Sequence, residues 1–142
     1  TTQASVTIDQ KLYSEIGKGF LVLIGICDED TKETADKMVR KLIGMRIFSD
    51  ENGKTNLALK DVDGQLLLVS QFTLYADCKK GNRPSFVKAG SPQHANELYE
   101  YIIDACKKEV PVVKTGVFGA EMEVALINDG PFTIILDSKD LA

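Results

Sequence analysis

The 142-residue chain has one histidine, no tryptophan and only three cysteines. Each shortage excludes a chemistry. His94 alone, with Cys27, Cys78 and Cys106 far apart and without C-x-x-C spacing, cannot supply an ordinary structural zinc set, so no metal is expected. An odd number of scattered thiols fits free cysteines in a reducing compartment, not a disulfide framework. A Ser-His-Asp or Cys-His centre would have to use His94, and nothing in the sequence places it beside Ser70 or Thr73. Walker and Rossmann glycine patterns are absent. No apolar run approaches the roughly 20 residues that span a bilayer, and no secretory leader is visible. The expected address is therefore the cytoplasm, with no membrane partner. Cationic excess is lacking too: 17 Lys and Arg against 21 Asp and Glu leave a net charge of −4. Such a chain is not a generic nucleic-acid binder, and any such contact needs a local patch. One candidate patch is present, Lys79, Lys80, Arg83 and Lys88, which can equally be read as a solvated loop.

What remains is an ordinary globular composition, 44% hydrophobic and 27% charged, in a length that suits one domain over residues 1–142. Val6 and Ile8 alternate with polar neighbours as in a half-buried strand. The continuous apolar run 20–26 predicts a fully buried strand. A helix follows, with Asp30 as N-cap, Glu33 at capping-box spacing, and a core face of Ala35, Met38, Val39, Leu42 and Ile43 ended by Gly44. Residues 46–48 and 57–59 predict short strands about an Asp50-Glu51-Asn52-Gly53 turn. A strand over 66–74 is expected next. Ser91-Pro92 opens a second helix buried through Ala95, Leu98, Tyr99, Ile102, Ile103 and Cys106. Strands are expected over 112–118 and 122–126, and a hairpin through Asp129-Gly130 returns over 132–136. Many strands with two separated helices predict a sheet-rich α/β or α+β domain.

Two stretches draw the chemistry. Ser70-Gln71-Phe72-Thr73-Leu74 closes an apolar strand and leads into the polar loop 77–84. Main-chain N–H groups at such a strand end can stabilise a developing oxyanion, enough for an activated ester without any titratable side chain. The second stretch is Asn128-Asp129-Gly130-Pro131-Phe132-Thr133. There a cis Gly-Pro bond would turn two carbonyls the same way, and rigid carbonyls can exclude a substituent on one side of a chiral carbon. Each stretch also has a plain structural reading: a strand, and a hairpin turn with an edge-strand proline.

Together with Arg83-Pro84-Ser85-Phe86, Ala4-Ser5-Val6-Thr7 and Phe48-Ser49-Asp50, these stretches closely resemble the bacterial-type D-aminoacyl-tRNA deacylases, first described as D-tyrosyl-tRNA deacylases. The resemblance runs over nearly the whole chain. It implies an α/β fold in three layers, α/β/β, with mixed, barrel-like sheets and two main helices. It also implies a cytoplasmic homodimer with its active site at the subunit interface, acting on the aminoacylated 3′ end of tRNA without cofactor. The implied reaction is hydrolysis of the ester of D-aminoacyl-tRNA, and of glycine mischarged on tRNA.

By motif, Ser70, Gln71, Phe72 and Thr73 would line the ester, with the N–H groups around Gln71 and Phe72 as oxyanion donors. Thr73 would be the nucleophile, or water would attack with help from the ribose hydroxyl; the absence of a base beside Thr73 favours water. Gly130 and Pro131 match a cis Gly-Pro motif that reaches into the partner's pocket and rejects L-amino acids, while Ala95, Phe118 and Met122 match pocket-lining positions. Lys79, Lys80, Arg83 and Lys88 become candidates for tRNA phosphates. The chain departs from the family in two ways: its first strand is expected to be missing ahead of Thr1, and Phe132 stands where valine is common. The competing expectations are a non-catalytic dimeric tRNA-binding module and an editing deacylase for mischarged L-alanyl-tRNA.

Overall fold

The computed structural model describes residues 1–141. Its centre is β6 (Gln65–Ser70). Leu66, Leu67, Leu68 and Val69 are each at most 1% exposed, because both faces of the strand are covered. Leu66 and Leu68 pack against the helices α1 (Lys32–Gly44) and α2 (Pro92–Glu109), whereas Leu67 and Val69 pack against Ala4, Val6 and Ile16 of a second sheet. The alternation of a strand sends successive side chains to opposite layers, so the unbroken apolar run is what a middle layer requires. Burying each such side chain contributes about 1.5–3 kcal/mol.

In the middle sheet, β3 (Gly19–Ile24) and β7 (Val113–Thr115) flank β6, both parallel to it. The outer sheet is antiparallel, in the order β2 (Lys11–Ile16), β1 (Gln3–Ile8), β8 (Glu123–Ile127). Helices, parallel sheet and antiparallel sheet give the expected three-layer α/β/β architecture. A short hairpin, β4 (Phe48–Ser49) with β5 (Thr55–Leu57), sits to one side. No helix among the described residues is long and apolar enough to cross a membrane.

Several local expectations are corrected. Strand β2 was not anticipated: it follows a two-residue turn in which Asp9 and Gln10 both take positive φ, with no glycine to announce it. Strand β3 lies at a sheet edge, so the run expected to be fully buried is half-buried, and Leu23 is 43% exposed. Helix α1 is capped by Thr31, whose hydroxyl and that of Thr34 each accept the other's N–H at 3.2 Å; Asp30 instead accepts from Cys27 N–H at 2.9 Å. Two hydroxyls three residues apart satisfy the orphan donors as well as an acid would. Leu59 begins a 3₁₀ turn and does not extend β5, β7 stops at Thr115, and β6 stops at Ser70. Residues 132–136 form no strand among the described residues, and Phe132, Ile134 and Ile135 are 46%, 46% and 90% exposed. Helix α2 begins as expected, with Ser91 Oγ accepting from His94 N–H at 3.3 Å and Pro92 at its first position.

Candidate functional site

The strand end is a junction between a ladder and a tight turn. Gln71 N–H makes the last ladder bond, to Ile24 C=O at 2.8 Å. Its backbone (φ −142, ψ 86) then releases the chain into a 3₁₀ turn, Phe72–Tyr75. The turn's first bond runs from Leu74 N–H to Gln71 C=O at 3.2 Å. The N–H groups of Phe72 and Thr73 precede that bond and have no acceptor within the turn. Of the expected oxyanion donors, Gln71 is therefore already engaged, and the adjacent N–H groups of Phe72 and Thr73 have no acceptor among the described residues.

Thr73 Oγ1 lies 2.6 Å from Gln71 Nε2, both on an exposed surface. The threonine oxygen accepts from an amide, a group that does not take up protons near neutrality. The single imidazole is employed elsewhere: His94 Nε2 lies 2.8 Å from Asp30 C=O and joins the start of α2 to the β3–α1 loop. Among the described residues, nothing bonded to Thr73 can serve as its general base. The thiols offer no substitute. Burial pushes the Cys106 thiol up to about 11, and burial likewise raises Cys27.

Of the positions expected to line a pocket, Ala95 and Phe118 lie on the helix side of β6 and Met122 on its outer-sheet side. Tyr99 donates its hydroxyl to Leu68 C=O at 2.7 Å, wholly buried, and burial pushes that phenol up to about 12. Its ring lies 6.2 Å from that of Phe118, and Ala95 is one turn earlier on the same helix, 8% exposed. Gly116 N–H bonds to the same Leu68 carbonyl at 3.1 Å. A Cβ at Gly116 would stand 2.6 Å from Met122 Sδ and 3.7 Å from Val69, which places Met122 against the penultimate residue of β6. Met122 Sδ in turn accepts from Val117 N–H at 3.4 Å.

Gly130 and Pro131 are elsewhere. Their peptide bond is cis, and Gly130 has φ +129. Asn128 clamps the loop: its Oδ1 accepts from Phe132 N–H and its Nδ2 donates to Thr133 Oγ1, both at 2.9 Å. The loop follows Ile127, which pairs with Gln3. The adjoining Thr1 amino group bonds to Gly19 C=O at 2.8 Å, and Gly19 pairs with Gln65, the first residue of β6. Ser70 closes the same strand at its other end, about 17 Å away at the usual rise per residue. A single chain therefore keeps the two stretches apart. Two surface clefts, of about 560 and 780 Å³, lie between the helices and over Cys27, Tyr75 and Lys88, and neither is lined by Ser70, Thr73 or Gly130.

The basic segment is a pinned loop. Asp77 and Ser85 exchange both backbone hydrogen bonds, at 2.7 and 2.9 Å, and Phe86 sets its ring 5.2 Å from that of Phe72, edge to face. Lys88 pairs with Asp77 at 3.4 Å, which sets it apart from the other three cations. The Lys79 N–H and then the Lys88 ammonium hold the Asp77 carboxyl below the usual range. Sequence reasoning missed the Asn128 clamp and the Phe72–Phe86 contact. The polar pair five residues apart, Asn128 and Thr133, was the available signal for the clamp; the aromatic contact has none at that separation.

A family model described as D-Tyr-tRNA(Tyr) deacylase matches residues 1–137. Curated relatives include the D-aminoacyl-tRNA deacylases of Clostridium novyi, 53% identical over 137 residues, and Clostridium acetobutylicum, 51% identical over 137 residues. Each alignment covers 96% of this chain and 92% of the relative. That of Thermosipho africanus is 51% identical over 136 residues, covering 96% and 91%. Among solved structures, one titled c-Myc DNA Unwinding Element Binding Protein superposes with a TM-score of 0.90 at 41% identity, over 96% of this chain and 93% of that one. Another, described as a probable eukaryotic D-amino acid tRNA deacylase, superposes with a TM-score of 0.73 at 18% identity over 87% of each chain, a likeness of fold.

Proposed function

The chain belongs to the D-Tyr-tRNA(Tyr) deacylase family, and on that premise we propose that it is a D-aminoacyl-tRNA deacylase, a hydrolase that releases a D-amino acid from the 3′ end of tRNA. The observation that carries the mechanism is the open pair of N–H groups at Phe72 and Thr73, beside a threonine hydroxyl with no base. The ester carbonyl oxygen lies against that pair. Water adds to the carbonyl carbon, and the two N–H groups stabilise the oxyanion of the tetrahedral intermediate. The C–O bond to the ribose then breaks, and the ribose oxygen leaves with a proton relayed through its neighbouring hydroxyl. A main-chain donor of this kind is worth about 2.7–4 kcal/mol of barrier. An activated ester needs little more, so a site poor in titratable groups suffices.

The working site is shared between two copies. The Gly130-Pro131 loop stands at the far end of β6 from Ser70–Thr73 in its own chain, and a second copy brings its loop to the strand end. The exposed Leu126, Ile127, Phe132 and Ile134 supply apolar surface for such an interface. In the shared site the Gly130 and Pro131 carbonyls fill the space that an L side chain would occupy, while Ala95, Phe118 and Met122 form the wall behind the α-carbon. Glycine has no side chain to exclude, so glycyl-tRNA is also a substrate. L-Alanyl-tRNA is rejected by the same carbonyls. Three unpaired cysteines suit a reducing compartment, and the cytoplasm is the proposed location. Catalytic release of D-tyrosine from D-Tyr-tRNA tests this reading; binding without release would instead make the protein a tRNA-binding module.

A further inference from the structure

Resting on the deacylase reading, we infer that the pinned loop between Asp77 and Ser85 is the enzyme's RNA-phosphate contact, and that three cations, Lys79, Lys80 and Arg83, grip the 3′-terminal strand of the substrate. The chain is net acidic, yet it carries no Asp or Glu from residue 78 through residue 96. Within that stretch Lys79, Lys80 and Arg83 are exposed and take part in no ion pair among the described residues. The one acid at the loop's base, Asp77, is occupied by Lys88 at 3.4 Å and by Lys79 N–H at 3.1 Å. Its charge is thus offset before it reaches the loop tip. Lys88 serves the loop's base and is not one of the gripping cations.

Placement connects this charge to the chemistry. Asp77 follows Thr73 by four residues, so the base of the loop lies at most about 14 Å from the proposed oxyanion site. The double Asp77–Ser85 bond fixes the loop's root, Gly81 turns its tip with φ +61, and the Phe72–Phe86 ring contact ties its returning limb to the catalytic turn. A loop so held presents its cations at a set distance from the scissile ester, where the phosphates just before a terminal nucleoside pass. Free anions or acidic proteins gain nothing from that distance; a polyanion whose reacting end sits at Thr73 does.

The test uses the full-length protein and two triple variants. One is Lys79→Ala, Lys80→Ala, Arg83→Ala; the other removes three exposed cations of α1, Lys37→Ala, Arg40→Ala, Lys41→Ala, for the same change in net charge. Thermal melts establish that both fold. Binding of deacylated tRNA is measured from 50 to 200 mM KCl, and hydrolysis is compared on D-Tyr-tRNA and on the phosphate-free D-tyrosyl ester of adenosine. Three phosphate contacts to a single strand give a salt slope of about −2, which is about 20-fold in affinity over that range. The loop variant is expected to lose that slope, and its ratio of kcat/KM for the tRNA over the adenosine ester is expected to fall at least tenfold. The α1 variant should keep both. An unchanged slope and ratio in the loop variant, or equal losses in the α1 variant, overturn the inference. Failure of the wild type to cleave the adenosine ester and the tRNA refutes the deacylase reading itself, whereas the binding slope still reports on the loop.

Discussion

Replacing Phe72 by proline would delete the N–H on which the proposed chemistry depends while sparing the fold. Proline is accepted at the first position of a helical turn, where the N–H lacks an intrahelical partner. The preceding Gln71, at φ −142 and ψ 86, is already outside the helical region that a following proline disfavours. Its own N–H still completes the ladder to Ile24 at 2.8 Å. The substitution also removes the ring, which is 56% exposed and touches Phe86, so Phe72→Ala is the control that loses the ring and keeps the donor. Loss of one preorganised oxyanion donor costs about 10²–10³-fold in rate, or 2.7–4 kcal/mol. The assay is single-turnover hydrolysis of D-Tyr-tRNA with enzyme in excess, which reads the chemical step apart from product release. Phe72→Pro is expected to fall about 10²–10³-fold below Phe72→Ala, with melting temperatures close together. Equal rates in the two variants would refute the oxyanion role of this N–H.

Thr73→Val should retain activity within about tenfold if water attacks as proposed, the Thr73 hydroxyl only accepting from Gln71, whereas a loss on the order of 10⁴-fold in the same assay would restore Thr73 as nucleophile. A 1:1 mixture of Phe72→Pro chains with Gly130→Ala chains, unfolded and refolded together, should recover about a quarter of wild-type activity if the proposed dimer forms, since half the dimers would be mixed and each would hold one intact site; no recovery above the separate variants would contradict a shared site. Gly130→Ala alone should lower D-Tyr-tRNA turnover and cost about 1–3 kcal/mol of stability, read as a fall of a few degrees in melting temperature, because a side chain at φ +129 is strained and its Cβ meets Phe132 N at 3.1 Å. Tyr99→Phe removes the buried bond to Leu68 C=O and should cost about 1 kcal/mol, seen as a fall of a few degrees in the thermal midpoint.

Much of this was legible in the sequence wherever local chemistry and tertiary structure agree. The apolar run of β6 announced a strand, and Ser91-Pro92 announced the start of α2. The single histidine pointed away from triads and towards backbone donors. What was hidden is what depends on partners remote in sequence. Strand β3 looks like a core strand because its residues are apolar, but only topology makes it an edge. Thr31 and Thr34 cap α1 through hydroxyls that compete on equal terms with the neighbouring Asp30. The engagement of Gln71 N–H depends on Ile24, 47 positions earlier, and it moves the open donor pair from Gln71 and Phe72 to Phe72 and Thr73. The placement of Ser70 and the Gly130 loop at opposite ends of β6 in one chain is likewise a property of strand order, not of either motif.

The central claim is chiral hydrolysis by a site of main-chain groups shared between two copies, and it is tested most directly by offering the purified protein D-Tyr-tRNA and L-Tyr-tRNA side by side, in the presence of a chelator. The expected result is rapid release of D-tyrosine, with L-Tyr-tRNA decaying no faster than in buffer. Hydrolysis of both at similar rates would contradict exclusion by the Gly130-Pro131 loop, and hydrolysis of neither by folded, dimeric protein would contradict the deacylase itself.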